Sequence, residues 1–147
     1  MRVVSLTSAH EMFVADEVSP EVIVAAPTTV FVCTTCRDAA HDPDLPSAGA
    51  RLYAALLKET LPDDVRLVPV ECLSVCKRTC AVSFAAAGKW TYVYGDLPAD
   101  EAAPTILAGA QLYGQAADGI IPWRQRPDAL KKGVIARVPP LTFGDKR

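Results

Sequence analysis

Two short segments hold all five cysteines of this chain: VCTTC, from Val32 to Cys36, and ECLSVCKRTC, from Glu71 to Cys80. Each follows a β-rich run, PTTVF and VRLVPV respectively. Thiols gathered this way suit three kinds of chemistry. An iron–sulfur cluster takes four cysteines from short paired motifs, because two sulfurs on one loop can reach one metal. Cys33 with Cys36 and Cys72 with Cys76 supply such pairs. A structural zinc site uses the same kind of tetrahedral sulfur set. A redox dithiol needs only Cys33 and Cys36, one of them with a depressed pKa. That third reading expects a helix to begin at the Cys-x-x-Cys, whereas CTTC runs into RDAAHDPDLPSAG, a proline-rich loop. Arg37, Lys77 and Arg78 stand next to the thiols, where positive charge offsets the negative charge of a thiolate-bound centre.

Composition narrows the setting. At 147 residues the chain is one ordinary domain that buries enough surface to fold without cross-links. Half the residues are apolar and 22% charged, a globular balance that argues against long disordered tracts. A formal net charge of −2 gives no basic field to recruit nucleic acid. No apolar run approaches the roughly 18 residues of a spanning helix, so no membrane partner is expected. The first residues, MRVVSLTSAHEMFVADEVSPE, interrupt their apolar positions with charge and do not read as a signal peptide. A cytoplasmic, reducing compartment is the expectation, and clustered cysteines there favour metal or redox roles over structural disulfides. An odd count of five agrees, since five cannot all pair within one chain. No Ser/His/Asp set, phosphate-cradling glycine loop or paired carboxylate accompanies the thiols, so a carrier is expected rather than a catalyst.

The elements that must position the thiols come next. Residues 1–27 read as a loosely specified lead-in. From Thr28 the β-branched TTVFV predicts a buried strand that ends at the first cysteine. Ser47 is the predicted N-cap of a helix over AGARLYAALLKET. VRLVPV predicts a second strand, with Pro69 placing it at a sheet edge or a strand end. AVSFAA and WTYVYG flank Ala87-Gly88-Lys89 as a hairpin, with Trp90, Tyr92 and Tyr94, alternating at strand spacing, expected to pack on a sheet face. Ala99 to Ala117 predicts a helix with Pro104 in its first turn. The proline-rich, basic stretch from Ile120, with Trp123, Arg124 and Arg126, is expected to strap the surface in extended or short helical pieces. A right-handed crossover between the first two strands, paired in parallel, would bring both cysteine groups to one sheet edge. His41, in the loop after CTTC, is expected to be solvent-exposed.

The motifs then carry a resemblance. VCTTC, a helix, a strand, ECLSVC and a hairpin with GKWTYVYGD resemble the thioredoxin-like [2Fe-2S] ferredoxins. VCTTCR, CLSVCKRTC, GKWTYVYGDL, the segment Leu112 to Pro127 and the closing ARVPP resemble the DUF1636 family of predicted metal-binding proteins. The resemblance covers residues 28–140 and implies a thioredoxin-like α/β domain, βαββα, with 141–147 as an extended C-terminal tail. It implies a [2Fe-2S] cluster on Cys33, Cys36, Cys72 and Cys76, with Cys80 as the alternative ligand and Arg37, Lys77 and Arg78 beside them. An electron carrier follows, served by a redox protein partner, and a homodimer is open to such a fold. Zinc in a structural or metal-handling site is the alternative, and a thiol-disulfide oxidoreductase the third reading.

Overall fold

The computed structural model describes residues 27–144. The lead-in expected over residues 1–27 therefore falls outside the described residues except for Pro27, as do the last three residues of the expected tail. The elements run β1 (Thr28–Cys33), α1 (Ala48–Leu57), β2 (Val65–Val70), β3 (Val82–Ala85), β4 (Thr91–Tyr94), α2 (Ala103–Gln115), α3 (Asp128–Lys132) and β5 (Val134–Val138). Single turns of 3-10 helix occupy Cys76–Arg78 and Trp123–Gln125. The five strands form one sheet in the order β2-β1-β3-β4-β5. Only β1 and β2 are parallel; the remaining pairs are antiparallel.

One face of the sheet is built by alternation. Val30 and Val32 of β1 lie opposite Phe84 and Val82 of β3, which lie opposite Tyr92 and Tyr94 of β4. Residues directly across an antiparallel pair share a face. All six are fully buried, and α1 and α2 pack over them and against each other. The rings interlock: Phe84 meets Tyr94 edge-on at 5.0 Å, and Tyr92 stacks on Tyr94 at 5.3 Å between centroids. Leu52 and Leu56 reach this core from α1 at the i, i+4 spacing of one helix face. Ile106, Ala110 and Tyr113 do the same from α2. Pro104 sits in the first turn of α2, where its missing N–H costs nothing.

The C-terminal stretch departs from the expected surface strap. Residues 120–127 do lie over the sheet as a strap, held where the buried Tyr92 hydroxyl accepts from the Ile121 amide (3.2 Å) and from Arg126 Nη2 (3.1 Å). Beyond them, however, α3 leads into β5, which adds a fifth strand beside β4 through a register shift at Val93/Tyr94. The proline content pointed to extended surface pieces, but VIARV lies between Gly133 and Pro139 and is long enough to pair. Pro69 sits in β2, an edge strand as expected. No helix among the described residues is long and apolar enough to cross a membrane.

The join between α1 and the end of β1 is the tightest packing near the cysteines. The Ser47 hydroxyl caps α1 by accepting from Ala50 N (3.1 Å) and donates to Thr34 O (2.7 Å). Two residues on, a Cβ at Gly49 would collide with the main-chain carbonyl of Cys33. That neighbour is backbone in the sheet and cannot swing away. Gly49→Ala is therefore expected to destabilise the chain by about 2 kcal/mol, the range of core overpacking, despite the better helix propensity of alanine. Urea unfolding of the metal-free protein checks it; a neutral or stabilising result would show that the helix can slide off β1.

Candidate metal centre

The parallel ladder of β1 and β2 pairs Cys33 with Val70, and the amide of Thr34 continues it by donating to Val70 O (2.9 Å). The chain thus leaves both strands at the same end of the sheet, and the loops that follow, 34–37 and 71–80, lie side by side. The expected convergence of the two cysteine groups is present. CTTC does not open a helix: the chain turns through residues 34–47 before α1 begins.

Cys33 and Cys36 are buried, with the Cys36 thiol donating to Cys33 Sγ at 3.1 Å. With Ala81 they form a small apolar cluster of their own, and Leu73 and Val75 of the second loop pack against it. Cys72 and Cys76 are exposed. The amide of Ser74 donates to Cys72 Sγ at 3.1 Å. The Cys76 thiol is pushed above the ordinary thiol range, first by its hydrogen bond with Cys72, then by the charges of Cys72 and Cys33. The Cys76 thiol thus feels both Cys72 and Cys33. Among the described residues no three His, Cys, Asp or Glu side chains already stand in a metal-holding arrangement.

Local electrostatics separate the two buried thiols. Burial acts to raise Cys33, but hydrogen bonds from the Cys36 thiol and from the Thr35 and Leu73 backbones outweigh it, and its pKa falls below the usual value. Burial, with the hydrogen bond to Cys33, pushes Cys36 up to about 12 against the opposing Ala81 backbone bond. Backbone donors aimed at sulfur are what electron-rich thiolates need in a water-poor site, so the donor set suits a thiolate-bound centre.

Cys80 lies elsewhere. It is 1% exposed, belongs to the main core cluster and exchanges backbone hydrogen bonds with Leu97. Burial, followed by the charge of Asp38, pushes its thiol up to about 11. Of the three cations, Arg78 is engaged with Asp96 through a 2.5 Å Nε···Oδ2 ion pair. Arg37 and Lys77 are exposed, pair with no described acid, and line a shallow depression with Cys76 and Thr79. His41 is half-buried rather than exposed; its Nδ1 has no partner among the described residues. Sequence reasoning missed the threonines. Thr35 and Thr79 bond carbonyls of the facing cysteine loop, and their only sequence signal is their place between or beside cysteines.

Exposure orders the reactivity of the metal-free chain. At pH 8, iodoacetamide should modify Cys72 and Cys76 first, while Cys36 and Cys80, buried and still protonated, react only on unfolding. Peptide mass spectrometry over a time course measures this. Early labelling of Cys80 would contradict its core position.

The model of one protein family, described as a protein of unknown function (DUF1636), matches residues 30–140. No curated protein matches the chain. Among solved structures, the chain is similar to a thioredoxin-like [2Fe-2S] ferredoxin from Aquifex aeolicus: 22% identity, TM-score 0.50, covering 81% of this chain and 100% of that one. A second structure, of the wild-type thioredoxin-like [2Fe-2S] ferredoxin from the same organism, gives 17% identity and a TM-score of 0.47 over 76% of this chain and 99% of the other. The fold is the mixed α/β arrangement of the first of these structures. With the family model spanning both cysteine groups and the strands that carry them, the chain belongs to the DUF1636 family.

Proposed function

We propose that this chain is a small electron carrier holding a [2Fe-2S] cluster on Cys33, Cys36, Cys72 and Cys76. One observation carries the reading: parallel β1 and β2 end in adjacent loops, each with a cysteine pair, the first pair buried and the second exposed. The shared fold with a thioredoxin-like [2Fe-2S] ferredoxin supports it. When bound, the cluster supplies a one-electron couple. The chain's own residues do the rest. Cys33 and Cys36, under Leu73 and Val75, hold the inner side away from water. Cys72 and Cys76 face solvent, the side from which a redox protein can approach. Arg37 and Lys77 lie next to ligands and offset the negative charge that each added electron increases.

Zinc in a structural or metal-handling site would draw on the same four thiols. A thiol-disulfide oxidoreductase has one observation in its favour, the 3.1 Å approach of the Cys33 and Cys36 sulfurs with one thiol lowered and the other raised. It lacks the helix N-terminus that usually stabilises the thiolate of such a dithiol.

Anaerobic purification from cells, with iron, zinc, acid-labile sulfide and the visible spectrum measured on one sample, separates the three. Two irons and two sulfides per chain with reddish-brown absorption are expected. Cys72→Ser or Cys76→Ser should abolish the colour, and Cys80→Ser should keep it. One zinc without sulfide would replace the electron-carrier reading with the zinc one. A metal-free chain that turns over a disulfide substrate would point to the oxidoreductase.

A further inference from the structure

Beyond Val70, no main-chain N–H of one cysteine loop reaches a carbonyl of the other among the described residues. Beyond that residue, three side-chain donors cross the gap to a carbonyl instead. The Thr35 hydroxyl donates to Glu71 O, immediately before Cys72. The Cys33 thiol points to the same oxygen at 3.7 Å. The Thr79 hydroxyl lies 3.0 Å from Arg37 O, immediately after Cys36, and 2.9 Å from Cys76 O. A cysteine that ligates a metal gives up its proton, so the Cys33 bond to Glu71 is lost in the loaded site. The Thr34 hydroxyl only repeats the main-chain bond of its own residue to Val70 O, at 3.1 Å, so beyond the strand ends the side-chain ties to carbonyls that remain are the hydroxyls of Thr35 and Thr79.

We infer that Thr35 and Thr79 are positioning residues, two hydroxyl staples that set the separation of the Cys33/Cys36 pair from the Cys72/Cys76 pair before metal arrives. The inference rests on the four-cysteine metal centre proposed above. Neither residue touches the metal. Thr35 fixes the loop between the first two cysteines against the residue preceding the third, and Thr79 fixes the residue following Cys36 against the fourth. Their hydroxyls act by holding carbonyls, so serine should serve in place of threonine and valine, of nearly the same shape, should not. Partners that orient metal ligands in this way typically change metal affinity by about 10- to 100-fold when removed.

The test uses cobalt(II) as the probe metal under anaerobic conditions, reading the thiolate-to-cobalt charge-transfer absorption and competing the metal away with a chelator. Thr35→Val and Thr79→Val should each bind cobalt about tenfold more weakly than the wild type. Thr35→Ser and Thr79→Ser should bind as the wild type does. Thermal unfolding of each metal-free chain, run alongside, identifies a variant that has simply lost its fold; Thr35 is exposed, so its variants keep the test open should Thr79→Val not fold. Valine variants that bind as tightly as the wild type, or serine variants as weak as the valine ones, would overturn the staples. A folded wild-type chain that shows no thiolate-to-cobalt absorption would sink the metal centre itself, a separate result.

Discussion

The parallel pairing of β1 with β2 sets Cys33 opposite Val70 at the interstrand spacing of about 4.8 Å, and the cysteine end of the molecule depends on it. Parallel neighbours cannot be joined by a tight turn; the chain must cross over the sheet and return, and α1 makes that crossing. The crossing is anchored at both ends of its approach to the site. Ser47 caps the helix and holds the Thr34 carbonyl, while the missing side chain of Gly49 lets the helix sit directly on the Cys33 carbonyl. A helix held off by even one methyl group would no longer fix the loop that carries Cys36, whose own carbonyl accepts from Gly49 N at 3.0 Å.

Magnitudes separate what holds the fold from what shapes the site. Each fully buried apolar side chain contributes about 1.5–3 kcal/mol, and the core holds many: Phe84, Leu52, Leu56, Ile106, Ile121 and Leu130 among them. A hydroxyl bond between loops contributes about 1 kcal/mol net, and an exposed pair such as Arg78–Asp96 about 0.2–1. The fold does not rest on the polar ties at the cysteine end. Those ties govern geometry, on loops carried by a sheet and helix that would stand without them. The same division explains the two fates of cysteine here: Cys80 is a small apolar filler of the main core, whereas Cys33 and Cys36 occupy a separate small cluster next to exposed thiols.

Much of this was legible in the sequence, for physical reasons. β-branched TTVFV, the serine cap before AGARLYAALL and the turn residues between VSFA and TYVY each specify local structure strongly, and each element formed. The juxtaposition of the cysteine groups followed from one topological rule applied to two strands and a helix. β5 was hidden because VIARV is short, runs straight into Pro139 and Pro140, and pairs only through an irregular register that no local pattern announces. The pairing of Arg78 with Asp96 spans 18 positions, a tertiary contact outside the reach of any window. The threonine ties were hidden for a related reason: a hydroxyl between two cysteines says nothing of which carbonyl it meets until the second loop is in place.

Among the described residues the sheet has two edges, β2 and β5, and an edge is an invitation to strands of other chains. Along β2 the main-chain groups of Asp64 and Val70 face β1, since their carbonyls accept from Thr28 N and Thr34 N. Backbone direction alternates along a strand, so odd-numbered Pro69 turns its ring nitrogen outward, removing a donor from the open edge without weakening the ladder inside. At the other edge, Pro139 and Pro140 follow directly after β5 and end its run of available amides. Among the described residues, both edges of the sheet thus offer fewer main-chain donors to an added strand than an edge without proline would.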